Sequence, residues 1–571
     1  MGSIPNGLEA SIARTSASLE LPPTPQGHAR PIRVICIGAG ASGINTAHQV
    51  EKYLTDVDLV IYDKNPRAGG TWLENTYPGV ACDIPAHNYQ FSWSPNPRWK
   101  EFYASGAEIL EYFNAIVEKF GYGKYMHLQH EVMGAVWNEE ESAWKVKIRN
   151  LESGLEFEDQ CHILINGAGF LNNWKWPIIE GRESFKGDVI HPANWKSIDL
   201  KDKKVALVGN GSSAIQVLVA IHPEVSQLTT FIRNPTWITP VYASDFAGQN
   251  GENIKYSDAQ KDEFEQDPAA FLKYRKAIEK AMVSRFAVNL KDSPEQKMAK
   301  DYLTQQMLAK LGDSPLRDAL IPTFGVSCRR PTPGTGYLET LTKDNVRVVT
   351  DHIKRITPTG IELVSGESLE FDIIILATGF DYSWIPRFPI IGRDGRDLRH
   401  MWKSRATGYL AVAVNNMPNY LVYMGPNSPL SHGSALMSIE AMTKYFVRII
   451  YKAQTEGYKS FVPRDEAVED FTQYNDEFHK KTVWSTKCRS WLKGGTDDGT
   501  VITYPGSRVG SIHVLQYPRY EDFEWRTESP NRFAFLGNGK SAWEEEGYDI
   551  TWYLDDPEGG MEHIHWGKLK A

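Results

Sequence analysis

Two short glycine-rich turns carry the first chemistry this sequence suggests: Gly38-Ala39-Gly40-Ala41-Ser42-Gly43 and Gly209-Asn210-Gly211-Ser212-Ser213-Ala214. Each follows an apolar, β-branched run and opens a helix-compatible segment. Glycines here let the chain turn tightly and let backbone N–H groups approach a pyrophosphate at a helix N-terminus. The strand after the first turn, Asp58-Leu59-Val60-Ile61-Tyr62, runs into Asp63, a carboxylate placed to accept bonds from a ribose diol. The strand after the second, Leu228-Thr229-Thr230-Phe231-Ile232, runs into Arg233, which suits a 2′-phosphate. The pattern therefore predicts an adenine dinucleotide with a free ribose on the first unit and NADP on the second. A strand-end acid and a surface arginine are the bland alternatives for these two residues.

Between the turns lies Phe185-Lys186-Gly187-Asp188-Val189-Ile190-His191-Pro192-Ala193-Asn194-Trp195, where two nucleotide units must meet. Two further apolar runs, ending in Gly167-Ala168-Gly169-Phe170 and Ala377-Thr378-Gly379-Phe380, predict strands that close the two sheets. Residues 250–320 are charged and helical in pattern. Ser257, Asp267 and Ser293 stand where N-caps belong, with Gln260 at capping-box spacing from Ser257 and Pro after each of the other two. The predicted fold is α/β, with two Rossmann-like dinucleotide-binding domains and a helical insertion.

The chain has 571 residues, which is too many for one core, and its net charge is −9. The acidic balance argues against a nucleic-acid partner. Five cysteines form neither a CxxC pair nor a metal-ligand spacing. This predicts no metal, no thiol relay, no disulfide framework and a reducing, cytoplasmic compartment. No apolar run is long enough for a membrane span, and no signal peptide is evident. Two dinucleotide units without a thiol relay suggest NADPH passing hydride to FAD.

At this point a family resemblance emerges. Phe185-x-Gly187-x-x-x-His191-x-x-x-Trp195 resembles the fingerprint of the Baeyer–Villiger flavin monooxygenases, with Lys196 where Pro or Asp usually follows. Gly69-Gly70-Thr71-Trp72, Tyr77-Pro78-Gly79 and Asp83 complete a second motif of that family, and Ala377-Thr378-Gly379 fits a third. Trp195 is similar to the Baeyer–Villiger branch, since the heteroatom-oxidising branch has Phe or Tyr there. Cys328-Arg329-Arg330-Pro331 ahead of Gly336-Tyr337 resembles the family's basic pair, and Cys488-Arg489-Ser490-Trp491 its C-terminal region.

The resemblance implies that Arg330 is the catalytic guanidinium and Asp83 its carboxylate partner. Oxygen activated for attack on a ketone carries negative charge, and a fixed cation that keeps its proton can hold it. By the same resemblance FAD contacts Gly38, Gly40, Ser42, Gly43, Asp63, Thr71, Trp72, Ala81, Cys82, Asp83, Tyr89 and Val132. NADP contacts Gly209, Asn210, Gly211, Ser212, Ser213, Ala214, Arg233, Asn234 and Arg329. Arg330 also borders the cofactors. Trp491 either contacts nicotinamide or packs, and His191 is either a hinge hydrogen-bonder or a proton carrier.

The implied reaction is ketone, O2 and NADPH giving ester or lactone. The alternatives are N- or S-oxygenation, an NADPH-dependent flavin reductase and a non-enzymatic NADP-binding protein. The implied domains are a flexible arm over 1–29, an FAD domain over 30–172 and 381–571, an NADP domain over 173–249 and 321–380, and the helical insertion over 250–320.

Overall fold

Each apolar run ahead of a glycine turn becomes the middle strand of a five-stranded sheet in the computed structural model, which describes residues 20–240, 242–248, 251–430, 433–551 and 554. The first sheet runs Tyr420–Val422, Ile163–Asn166, Ile32–Ile37, Val57–Tyr62, Met126–His127, all parallel. The second runs Val346–Val349, Gln227–Phe231, Lys204–Val208, Ile373–Leu376, Asp188–Ile190, again all parallel. In both, the strand before the turn has neighbours on opposite sides. The turn therefore opens at the topological switch point, where a crevice forms beyond the strand ends.

The strands read as continuous β-branched runs because both faces are covered. One face of the first sheet packs on helices Ala41–Tyr53 and Ala435–Thr455 through Val34, Cys36, Ile61 and Ile165. The other meets the antiparallel strands His130–Asn138 and Ala143–Asn150 through Ile35, Tyr62, Leu164 and Trp144. Each fully buried Ile, Val or Leu contributes about 1.5–3 kcal/mol. The second sheet packs on helix Ser212–Ile221 on one side and on Ile356, Ile361 and Leu363 on the other.

In the stretch 250–320, Ser257, Asp267 and Ser293 cap helices Asp258–Gln266, Pro268–Val283 and Pro294–Leu311, and Ser257 and Gln260 form a reciprocal capping box. The stretch does not belong to the second unit alone. Phe264, Ile278 and Met282 join the first unit's core, whereas Leu303, Met307 and Leu311 join the second. It thus spans the two units.

Of the arm expected over 1–29, residues 1–19 lie outside the described part. Pro25 and Gln26 bridge to Gly537 and Ser541, so this piece is tied down. The cysteine expectation needs correction as well. Cys328 and Cys488, 160 residues apart in sequence, form a disulfide with Cα atoms 6.3 Å apart. Cys36, Cys82 and Cys161 are free and buried. Among the described residues no helix is long and apolar enough to cross a membrane.

Candidate active site

The crevice at the first turn opens into a cavity of about 670 Å³. Gly38, Gly40 and Ser42 from the turn line it, together with Asp63, Thr71, Trp72, Ala81, Cys82, Asp83, Tyr89 and Val132. Gly43 lies beneath the lining, where a Cβ would come within 2.1 Å of the Gly38 carbonyl oxygen. Asp63 steadies the turn: its carboxylate accepts from Ala39 N–H at 2.7 Å and from Asn65 N–H at 2.8 Å. Burial lifts its carboxyl above the ordinary range, against the pull of those two N–H groups. Each oxygen keeps a free lone pair for a ribose hydroxyl.

The Gly69-Gly70-Thr71-Trp72 motif has a packing reason. Gly70 lies so close to the turn that a Cβ there would approach the Gly40 Cα to 2.9 Å. Trp72 then sets its ring edge-on to Tyr89 at 5.5 Å and donates its indole N–H to the Tyr89 hydroxyl at 3.3 Å. Close backbone approach at the turn and an aromatic wall beside it fit an adenine dinucleotide that carries a flat ring system.

Arg330 and Asp83, 247 residues apart, meet in the cavity wall with Nη1 2.5 Å from Oδ2. The guanidinium lies 5.7 Å from the centre of the Tyr242 ring. Burial opposes its charge, but the Asp83 carboxylate outweighs burial and holds the guanidinium above its ordinary value. It stays a fixed cation across any working pH. Trp491 reaches the same cavity and stacks on Phe170 at 6.3 Å, so it both packs and faces the void.

The second turn contributes Ser212 and Ser213 to the cavity. Gly209, with φ +118°, turns tightly against the Ala377 carbonyl oxygen. Ala214 is buried in the following helix. Asn210 donates to the Asn234 carbonyl at 2.7 Å, which fixes the turn to the segment after Arg233. A Cβ on Gly211 would meet nothing within 4 Å, so this glycine leaves open room in front of the helix N-terminus. Such a cradle fits a phosphate.

Beyond that turn three arginines gather. Arg329 donates to the Pro235 carbonyl at 2.7 Å, two residues past Arg233. The disulfide draws Arg489, the neighbour of Cys488, toward Arg329, the neighbour of Cys328. Burial, then Arg233 and Arg489, lower the Arg329 pKa; partial desolvation of an otherwise exposed side chain, then Arg489, lower that of Arg233. Among the described residues none of the three forms a salt bridge. Crowded, unpaired cations at the end of a nucleotide-binding strand fit a phosphate ester.

Sequence reasoning missed Arg489, because only the long-range disulfide brings it there. It also missed Gln216, which receives the Tyr77 hydroxyl at 2.8 Å and donates to the Ala81 carbonyl at 2.9 Å. Gly79 packs against the same helix, where a Cβ would meet the Gln216 carbonyl oxygen at 2.8 Å. Tyr77-Pro78-Gly79 is thus one of the contacts between the two units.

The fingerprint lies outside the cavity lining. Asp188–Ile190 is the edge strand of the second sheet, and a Cβ on Gly187 would strike the Asp372 carbonyl oxygen at 2.2 Å and the Phe185 ring at 2.7 Å. His191 is buried, stacks on Trp174 at 4.8 Å and accepts from Ala193 N–H at 3.2 Å. Burial lowers its pKa to about 4, so it is neutral at working pH. Trp195 packs on the second unit's core.

The description NAD(P)-binding Rossmann-like domain matches residues 36–105. The chain is 39% identical over 540 residues to the FAD-binding monooxygenase tazF of Aspergillus terreus, covering 93% of this chain and 96% of that protein. It is 30% identical over 495 residues to a Baeyer-Villiger monooxygenase of Pseudomonas aeruginosa, covering 86% and 90%. Cyclohexanone monooxygenase from Rhodococcus sp. Phi1, solved bound to NADP+, matches with a TM-score of 0.75 at 26% identity, covering 87% of this chain and 100% of that one. The paired nucleotide units, the cation–carboxylate pair between them and likeness along almost the whole length agree: the chain belongs to the FAD-binding monooxygenases of the Baeyer–Villiger type.

Proposed function

We propose that this enzyme uses NADPH, FAD and O2 to insert one oxygen atom beside a ketone carbonyl, giving an ester or lactone. The observation that carries this reading is the Arg330–Asp83 pair in the cavity wall, a permanent cation at the place where two nucleotide units meet. Relatives named for cyclohexanone support a ketone as substrate. Residues 30–172 with 381–571 would hold FAD, and residues 173–249 with 321–380 would hold NADP, with 250–320 spanning the two.

FAD, when bound and reduced, supplies the oxygen-activating chemistry. The chain does the rest. The turn at Gly38 to Gly43 would receive the pyrophosphate and Asp63 the ribose, with Trp72, Tyr89 and Val132 walling the ring. Arg330 stabilises the negative charge that develops at the reacting carbonyl oxygen, and Asp83 orients its planar fork. Trp491 and Phe170, which line the cavity and stack on each other, would shield part of it from water. With labelled O2 and a ketone panel, one label atom is expected in an ester product, scored by mass. Intact ketones alongside oxygenated amines or sulfides would replace this reading with heteroatom oxygenation.

The three arginines set the nucleotide preference. Arg233 is exposed, so Arg233→Ala should weaken NADPH binding by about 1.5 kcal/mol, the lower end for a charged hydrogen bond. NADH should be affected little. Arg489→Ala should act in the same direction. The measurement is the KM ratio of the two nucleotides, and an unchanged ratio in Arg233→Ala removes Arg233 from the 2′-phosphate.

A further inference from the structure

Arg508 opens helix Arg508–Gln516, which packs on helix Ala435–Thr455. It is only 2% exposed, yet it forms part of the cavity wall beside Leu430, Gly433 and Ala435. Its Nη2 donates to the Ser434 carbonyl and, at 3.0 Å, to the Ser438 hydroxyl. Both acceptors are neutral. Nε and Nη1 have no partner, and no carboxylate forms a salt bridge with it among the described residues. Gly433 makes room for this group: with φ +63°, a Cβ there would stand 2.5 Å from Arg508 Nη1.

A buried charge is normally paired, because leaving water is costly without a counter-charge. Burial lowers the Arg508 pKa to about 10, so the side chain still carries its proton at neutral pH. Arg330 in the same wall has its acid in Asp83. Among the described residues Arg508 has no carboxylate in contact, and Glu279 acts on it only through space.

We propose that Arg508 is a specificity-determining residue that takes an ionised oxygen acid, a carboxylate or phenolate, carried by the ketone substrate. The planar fork would hold that acid while the carbonyl reaches Arg330. This rests on the cavity being the oxygenation site proposed above.

The test uses the FAD-loaded enzyme and a matched pair of probes, 4-phenylbutan-2-one and its para-carboxylate. The wild type should favour the carboxylate in kcat/KM by about tenfold or more, the worth of one charge-assisted hydrogen bond, and added salt should erode that preference. Arg508→Met should collapse the ratio toward one mainly through KM for the acid, and Arg508→Lys should keep part of it. No preference in the wild type overturns the proposal. So does a Met variant that keeps the ratio but shifts the flavin midpoint potential, which would make Arg508 a cofactor contact. Should neither substituted protein fold, competition of the wild type by 4-phenylbutanoate against 4-phenylbutan-1-ol decides, and equal inhibition overturns the proposal. If no ketone reacts but sulfides do, the ketone reading falls. Arg508 is then judged on thioanisole and its para-carboxylate by the same ratio.

Discussion

Arg330→Ala is expected to keep FAD and to go on oxidising NADPH while ester formation falls by about 10²–10³-fold or more. Delivery of hydride to the cofactor depends on proximity and needs no extra cation at the substrate end. The oxygen-transfer step does, because negative charge builds where Arg330 sits. Without it, reducing equivalents should leave as hydrogen peroxide. Arg330→Lys should restore little, since an ammonium is a point charge without the planar fork that Asp83 receives at 2.5 Å. Asp83→Ala should show the same defect with a smaller loss: the cation remains but its orientation is released. Anaerobic reduction, ester yield and peroxide release together decide the matter. Normal ester yield from Arg330→Ala refutes the role, and a defect confined to FAD retention makes Arg330 structural.

The two glycine turns were legible because their constraint is local. Strand, turn, helix and a strand-end acid or base lie within a short span, and the backbone contacts at Gly38 and Gly43 admit no side chain. The caps at Ser257, Asp267 and Ser293 were legible for the same reason. Asp83 and Arg330 were legible only through the motifs that flank them, since nothing in the spacing of residues 247 apart predicts contact. The Cys328–Cys488 bridge lies at the far end of that scale. Neither cysteine has a partner at a recognisable interval, and so Arg489, though inside a matching motif, carried no signal of a role beside Arg329. Arg508 was illegible for another reason. An arginine in the first turn of a helix reads as a solvated charge, and only packing of that helix against Ser434 and Ser438 buries it.

Gly43→Ala and Gly211→Ala are expected to fail in different ways, which separates the two nucleotide sites. At Gly43 a Cβ would sit 2.1 Å from the Gly38 carbonyl oxygen and 3.4 Å from Ile61, so the obstacle is backbone on one side and core on the other. Neither can swing aside as a flexible side chain does. The helix must back away from the turn, at a cost of about 3 kcal/mol or more, and the donors that face the pyrophosphate move with it. The purified variant should lose the yellow FAD absorbance and unfold at lower temperature. At Gly211 the backbone is ordinary, with φ −80°, and nothing lies within 4 Å of the added methyl. The protein itself tolerates alanine there, so Gly211→Ala should keep its FAD and its melting temperature. The methyl instead enters the room a phosphate would need, and KM for NADPH should rise by about tenfold, the loss of one charged hydrogen bond. A yellow, stable Gly43→Ala would show that the first turn relaxes, and an unchanged NADPH KM in Gly211→Ala would take the phosphate away from the second.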